Sequence, residues 1–267
     1  MNPKPIVTLL IANYNYAHYI ESAVQSAINQ DYDGPIQVCV INDGSTDDSW
    51  SVLRSMCRAD DAPVIIQNIS ENRTLIAINR DNGGASVARN TGIDYTWDST
   101  DIYGILDADD YYYESKVRKC VDKLIENQPH VGVVYADYDI TYTESNTVVR
   151  EYKPPYNRLA LMNQCMIHSG ALITKEALDF VRDEKGQIFD PDLHGPGSQG
   201  FIGCSEDYDL WIRISEKFMM VHVPVELALA REGGHNQTTK VTSEILSNNF
   251  ERIFNKKQAR LNVSSSQ

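Results

Sequence analysis

Residues 6–12 read IVTLLIA, a run with no charge and a single hydroxyl. A continuous apolar stretch of this length predicts a strand buried on both faces, because a half-exposed strand would alternate. Behind it Ile20, Ala23, Val24, Ala27 and Ile28 fall at i, i+3, i+4, i+7 and i+8, the spacing of one helix face. Asp33-Gly34-Pro35 breaks that helix, and residues 36–41 (IQVCVI) form a second apolar run. Asn42-Asp43-Gly44-Ser45 closes it, with Ser45 or Thr46 available to cap the next helix. Residues 64–67 predict a short third strand, and Gly83-Gly84 precedes a helical stretch from Ala85 towards Trp97. Residues 102–106 predict a fourth strand. Val117, Cys120, Val121, Leu124 and Ile125 mark an amphipathic helix, and residues 131–135 a fifth strand.

Strands alternating with helices predict an α/β fold with a largely parallel sheet. Ligands of such sheets sit at the carboxyl ends of the strands. The polar signals fall there: Asn13-Tyr14-Asn15 after the first strand, Asp43 after the second, Asp107-Ala108-Asp109-Asp110 after the fourth. The second half is less regular. Residues 137–152 alternate around Glu144-Ser145-Asn146 and predict a hairpin. Residues 183–203, rich in Gly, Pro and Asp, predict a mobile loop. Leu210, Trp211, Ile214 and Phe218 predict a helix over 205–218, residues 241–254 a terminal amphipathic helix, and residues 264–267 a disordered tail. With no repeat and no clear linker, the 267 residues are expected to form one domain.

A formal net charge of −13 argues against a nucleic-acid partner, which would need a basic face. It is less of an obstacle to a nucleotide, because a bound metal supplies positive charge locally. Five cysteines at scattered positions, with no CxxC pair, predict neither a zinc site nor a disulfide framework and point to a reducing compartment. No signal peptide or membrane-spanning run is in view, so a soluble, cytoplasmic protein is expected. The Asn-x-Ser/Thr triplets at Asn68, Asn72, Asn236 and Asn262 then carry no glycosylation signal.

The carboxylates at the end of the fourth strand pose the sharpest question. Like charges this close repel unless something positive lies between them. Aspartates also follow strands simply as turn residues and caps. Three behind an apolar strand favour a hard divalent cation, which binds one or two carboxylates plus substrate phosphates. Other motifs fail. Residues 195–200 spell GxGxxG, but no strand precedes them and Pro196 disrupts the phosphate turn. There is no P-loop, and the aspartates lack the glycine of a calcium-binding loop.

LLIANYNYAHYIESAVQSAINQDY, VINDGSTDDS, GGASVARNTGI, ILDADDYY and SEDYDLWIRI follow one another in this chain. In order and spacing they resemble the family 2 glycosyltransferases of the GT-A fold, over residues 6–238. The resemblance implies a Rossmann-like, mostly parallel central sheet flanked by helices, with a smaller mixed acceptor-side region. It divides the chain into a nucleotide-sugar half (about 1–110), an acceptor half (about 111–240) and a C-terminal helix and tail (241–267). It implies an inverting, single-addition transferase, using Mn2+ or Mg2+, of the kind found in polysaccharide biosynthesis. The donor would be a nucleotide sugar, UDP-linked by preference, since a carboxylate at Asp43 can accept the imide N–H of uracil. The acceptor would be a glycan or lipid-linked glycan, with peripheral membrane contact compatible. Ala12 and Tyr14 resemble positions beside the base, and Arg89 one near the donor. Asp109 and Asp110 resemble the pair that contacts ribose and metal, and Asp107 extends the DxD pattern. Arg231 and His235 resemble a late segment that closes over the diphosphate, with His235 a further metal candidate. His168 is expected to line the acceptor side. Glu206-Asp207 resembles the pair that supplies the catalytic base, with Asp207 preferred and Glu206 open. Acidic residues in a first helical turn are favoured by the helix dipole in any case. Two other classes stay in play: a DxD phosphatase or phosphotransferase with an aspartate nucleophile, and a non-catalytic sugar-nucleotide or glycan-binding protein.

Overall fold

The computed structural model describes residues 3–168, 170–193, 205–233 and 243–264. The chain runs β1 (Val7–Asn13), α1 (Ala17–Ile28), β2 (Ile36–Asp43), α2 (Ser49–Cys57), β3 (Val64–Ser70), β4 (Arg73–Arg80) and α3 (Ala85–Thr96). After a short 3-10 turn come β5 (Ile102–Ile105), β6 (Tyr111–Tyr112), α4 (Lys116–Glu126), β7 (Val131–Tyr142) and β8 (Thr147–Glu151). The last elements are α5 (Arg158–Leu161), β9 (Leu172–Thr174), α6 (Lys175–Val181), α7 (Glu206–Ile214), β10 (Met219–Glu232) and α8 (Ser243–Ser264).

The strands form one sheet in the order β3-β4-β2-β1-β5-β9-β7-β10-β6, with β8 paired to β7. Strands β4, β2, β1 and β5 are mutually parallel, β9 reverses between β5 and β7, and β10 runs with β7. Six of the ten strands therefore share one direction, the mostly parallel α/β sheet expected. Side chains alternate across β1: Val7, Leu9 and Ile11 join one core with α1, α2 and α4, while Leu10 joins the other with α3, α6 and α7. Helices on both faces explain why β1 and β2 read as continuous apolar runs. The hairpin of β7 and β8 turns at Asn146, as expected, with Tyr142 opposite Thr147.

Several elements depart from the pattern. Strand β4 was not anticipated. It forms a hairpin with β3, and its run Leu75–Ile78 is buried by a neighbour on each side, a context that periodicity does not reveal. Strands β3 and β7 extend further than expected because the sheet supplies partners beyond the apolar stretch. Helix α7 stops at Ile214, four residues short of the expected end, and α8 extends well past 254 and includes Ser264. The first part of the expected mobile loop is packed: Ile188, Phe189 and Leu193 are buried. Asn90 on α3 holds it, donating to the Phe189 carbonyl at 2.8 Å and accepting from the Ile188 and Phe189 N–H groups. Residues 194–204, including the GxGxxG stretch, lie outside the described residues.

Asn90 sits beside Arg89 and ties α3 to this segment, so Asn90→Ala should strip partners from buried backbone groups. A loss of about 2–4 kcal/mol is expected from three such hydrogen bonds. Urea denaturation would read it directly.

Candidate active site

The parallel strands end in a row of amides. Asn13, Asn42 and Asn79 stand in register across β1, β2 and β4. Asn13 Nδ2 donates to Asn42 Oδ1 at 3.1 Å, and Asn42 Nδ2 to Asn79 Oδ1 at 2.8 Å. The loop after β1 is locked onto the loop after β2. Asn15 takes the left-handed conformation, φ 61°, and its Oδ1 accepts from the Thr46 and Asp47 N–H groups. Ser45 Oγ accepts from the Asn15 N–H and from Asn13 Nδ2. Ser45 and Thr46 therefore fasten this loop and do not cap α2, which begins after Asp48. Gly44 has φ +70°, and a Cβ there would meet the Asn82 nitrogen at 2.6 Å, so a side chain is excluded on two counts.

Asp43 is 2% exposed. Its carboxylate accepts from Arg80 Nη1 at 2.8 Å, from the Gly84 N–H at 2.7 Å and from the Gly83 N–H at 3.1 Å. Burial pushes its pKa up, against the pull of these donors. It borders the cavity and also anchors the start of α3. No local signal marks Arg80 in the sequence, since none marks β4.

Beyond β5 the chain turns, with the Asp110 N–H donating to the Asp107 carbonyl at 3.0 Å. The turn opens into a cavity of about 520 Å3 whose lining includes Ala12, Tyr14, Tyr16, Asp43, Arg89, Asp107, Asp109, Asp110, His168, Glu206, Asp207 and Arg231. The structure thus brings together every anticipated site residue except His235, which lies outside the described residues. The Arg89 side chain, 6% exposed, links two of the motifs. Its Nη2 donates to Asp107 Oδ1 at 2.9 Å and its Nη1 to Glu206 Oε1 at 2.5 Å. The two carboxylates outweigh the burial that would otherwise lower its pKa. Among the described residues, Glu206 Oε2 is buried with no hydrogen-bond partner.

Asp109 and Asp110 have less support. Asp110 is 7% exposed and accepts from the Arg231 N–H at 3.0 Å. Burial, then the charges of Asp107 and Asp109, raise its pKa well above the usual range. Burial and Asp107 push Asp109 up to about 6, although the Tyr16 phenol donates to it. Arg231 places its guanidinium 5.2 Å from the centre of the Tyr19 ring. Among the described residues no group of three or more His, Cys, Asp or Glu side chains is arranged to enclose a metal. The donor set fits a divalent cation that shares its coordination with a phosphate. Two crowded carboxylates with raised pKa values are the groups such a charge would relieve.

Helix α7 opens at Ser205, φ 93°. The half-buried Asp207 accepts the Tyr208 N–H at Oδ1, 2.8 Å. Burial, then the neighbouring Glu206, push its pKa up to about 7. On the other side His168 Nδ1 accepts the Gly170 N–H at 3.0 Å, which leaves the proton on Nε2. Burial lowers its pKa to about 4, so the ring is neutral at pH 7. Tyr16, Tyr138, Lys153 and Glu232 also line the cavity and were not singled out in the sequence. Tyr16 sits on a helix cap, Tyr138 and Glu232 on long strands and Lys153 just beyond β8, and no local motif reports how these come together.

The arrangement is one carboxylate near neutrality, a carboxylate pair suited to a cation, and a cavity of ligand size. The profile of the family described as "Glycosyl transferase family 2" matches residues 8–181. The chain belongs to that family. That family is one of transferases, the class that the sequence motifs implied. Similar proteins include the hyaluronan synthase of Pasteurella multocida, 24% identical over 84% of this chain and 20% of that protein. The chondroitin synthase of Escherichia coli is 24% identical over 97% of this chain and 33% of that protein. The chain spans about a fifth to a third of the length of these relatives. In fold it resembles S. aureus TarS 1-349 in complex with UDP, TM-score 0.60 at 14% identity, covering 85% of this chain and 60% of that one. It also resembles the mannosyltransferase PcManGT from Pyrobaculum calidifontis in complex with GDP-Man and Mn2+, TM-score 0.62 at 19% identity, covering 90% and 60%. These likenesses agree with the expected GT-A architecture.

In this family 2 member the raised pKa of Asp207 has a stability consequence. The folded state holds the proton more tightly than the unfolded chain does, so this group stabilises the fold below about pH 4. Its contribution is lost as pH rises through about 7. Asp207→Asn should remove that loss. Denaturation at pH 5 and pH 8 should show the wild type losing about 2 kcal/mol more than the variant, a figure discounted for partial exposure.

Proposed function

We propose that the chain is an inverting glycosyltransferase that moves a sugar from a nucleoside diphosphate carrier, UDP by preference, to a hydroxyl of a glycan or lipid-linked glycan. The observation that carries this reading is the Arg89 bridge. It commits Glu206 and Asp107 to one guanidinium and leaves Asp207 in the same cavity with a pKa pushed up to about 7. That favours Asp207 as the base over Glu206. The family match supports the transferase class. The complexes of similar folds with UDP, UDP-GlcNAc and GDP-Man with Mn2+ support a nucleotide-sugar donor and a metal.

On this reading residues 1–110 hold the donor and residues 111–240 face the acceptor. Ala12 and Tyr14 border the base. Asp43, already held by Arg80 and two N–H groups, offers its remaining acceptor capacity to uracil. Asp110 and Asp109 would hold Mn2+ or Mg2+, which offsets charge on the departing diphosphate. Arg231, beside Asp110, extends that side, with His235 following it in the chain. The acceptor oxygen attacks the anomeric carbon opposite the nucleotide as the carbon–oxygen bond to phosphate breaks. Asp207 takes the acceptor proton. A single displacement inverts the anomeric centre, with the acceptor in the place water takes in inverting glycosidases. A phosphotransferase reading fares worse, since Asp107, the first carboxylate of its DxD, is engaged by Arg89. We assign a cytoplasmic setting on the cysteines: Cys39, Cys57 and Cys120 are buried as free thiols. Among the described residues no helix is long and apolar enough to cross a membrane.

Asp207→Asn should keep UDP affinity and lose turnover by about 10²–10⁴-fold, the usual share of general-base catalysis. Wild-type activity should climb with pH through about 7 and level off above it. Full activity in Asp207→Asn beside an inactive Glu206→Gln would transfer the role to Glu206. For the metal, calorimetry on Asp110→Asn should show UDP binding that no longer tightens with manganese. An unchanged manganese response would remove Asp110 from the metal site.

A further inference from the structure

We propose that the wall formed by Tyr138, Lys153 and His168 is an acceptor subsite for a sugar bearing an anionic group, a carboxylate or a phosphate. This rests on the transferase reading above and adds the chemical class of its acceptor.

Lys153 is held in place by its own backbone. Its N–H donates to Asp137 Oδ1 at 2.8 Å, and the same buried oxygen lies 2.7 Å from His222 Nε2. One residue on, the Pro154 carbonyl accepts from the Tyr135 hydroxyl at 2.7 Å. Two adjacent anchors on β7 thus fix the direction from which the side chain enters the cavity. The Lys153 side chain is 15% exposed, and its carboxylate partner, the well-exposed Glu151, lies at 3.4 Å. Withdrawing an ammonium from water this far is costly. The Tyr138 ring, 5.2 Å from Nζ, offsets part of that cost.

Two aromatic groups stand beside the ammonium in the cavity wall. The Tyr138 and His168 rings lie with centroids 4.1 Å apart, tilted by 36°. Aromatic faces suit the apolar face of a pyranose, and the His168 Nε2–H can donate to a hydroxyl. Cys165, Lys153 and Asp207 line the same cavity.

Charge selects the ligand class. Among the described residues, seven carboxylates and three cations line the cavity. Arg89 is committed to two of the carboxylates, and Arg231 lies over Tyr19 with its backbone on Asp110. An anionic acceptor entering this field is repelled unless a cation meets it. Lys153 can, and a charge-assisted hydrogen bond to carboxylate or phosphate is stronger than one to a neutral hydroxyl. A neutral hydroxyl takes the weaker hydrogen bond from the same ammonium.

Calorimetry on the full chain, with and without UDP and manganese, would compare methyl glucuronide, glucose 6-phosphate and methyl glucoside. At least one anionic sugar should bind about tenfold or more tighter than the glucoside, the worth of a hydrogen bond to a charged group. The glucuronide and phosphate arms tell the two anions apart. Lys153→Gln should abolish the preference and Lys153→Arg keep it, with melting temperature and UDP affinity unchanged. Equal binding of charged and neutral sugars, binding of none, or a preference that survives Lys153→Gln overturns the proposal. Should Lys153→Gln fail to fold, the wild-type ranking together with Lys153→Arg decides. Failure of UDP to bind would instead count against the nucleotide-sugar reading, since the sugar titrations are also run without it.

Discussion

A single buried guanidinium organises the cavity. Arg89 lies between Asp107, at the end of the central parallel strands, and Glu206, at the start of α7. Removing Arg89 would leave the buried Glu206 without its counterpart, which is far costlier than the pair is beneficial. The bridge therefore matters as a constraint more than as a source of stability. It sets the distance between the turn that carries Asp109 and Asp110 and the helix that carries Asp207. These two segments are nearly a hundred residues apart in the chain.

Around that bridge the charges are arranged unequally. Asp107 and Glu206 share Arg89, and Asp43 has Arg80 with two backbone N–H groups. Asp109, Asp110 and Asp207 are the carboxylates whose pKa values burial and like charge push up. A carboxylate made uncomfortable in its ionised form is prepared either to accept a cation or to exchange a proton near neutrality. The separation into carboxylates bridged to an arginine and carboxylates raised by burial and like charge is what turns an acidic cavity into two distinct chemistries. The remaining wall, with Lys153 over Tyr138 beside a neutral His168, has the opposite polarity. A site with a cation-seeking side and an anion-seeking side can orient two ligands in one cavity.

What the amino-acid sequence determined by itself was whatever local periodicity and turn chemistry can encode. Runs such as 6–12 and 36–41 are apolar because helices cover both faces of the sheet, so an α/β fold was legible. The polar residues at the strand ends, and the acidic pairs at 107–110 and 206–207, were legible as chemistry because residue type and spacing are local properties. Tertiary structure decided the rest. Strand β4 forms because β2 and β3 flank it, and Ser45 and Thr46 meet Asn13 and Asn15 across a strand pair, so neither caps α2. Residues 188–193 are packed because Asn90 and a hydrophobic core receive them. Above all, Glu206 and Asp207 are near-equivalent acids in the sequence. Only the approach of Arg89 from α3 distinguishes them, and no local pattern can report a charge that arrives from over a hundred residues away.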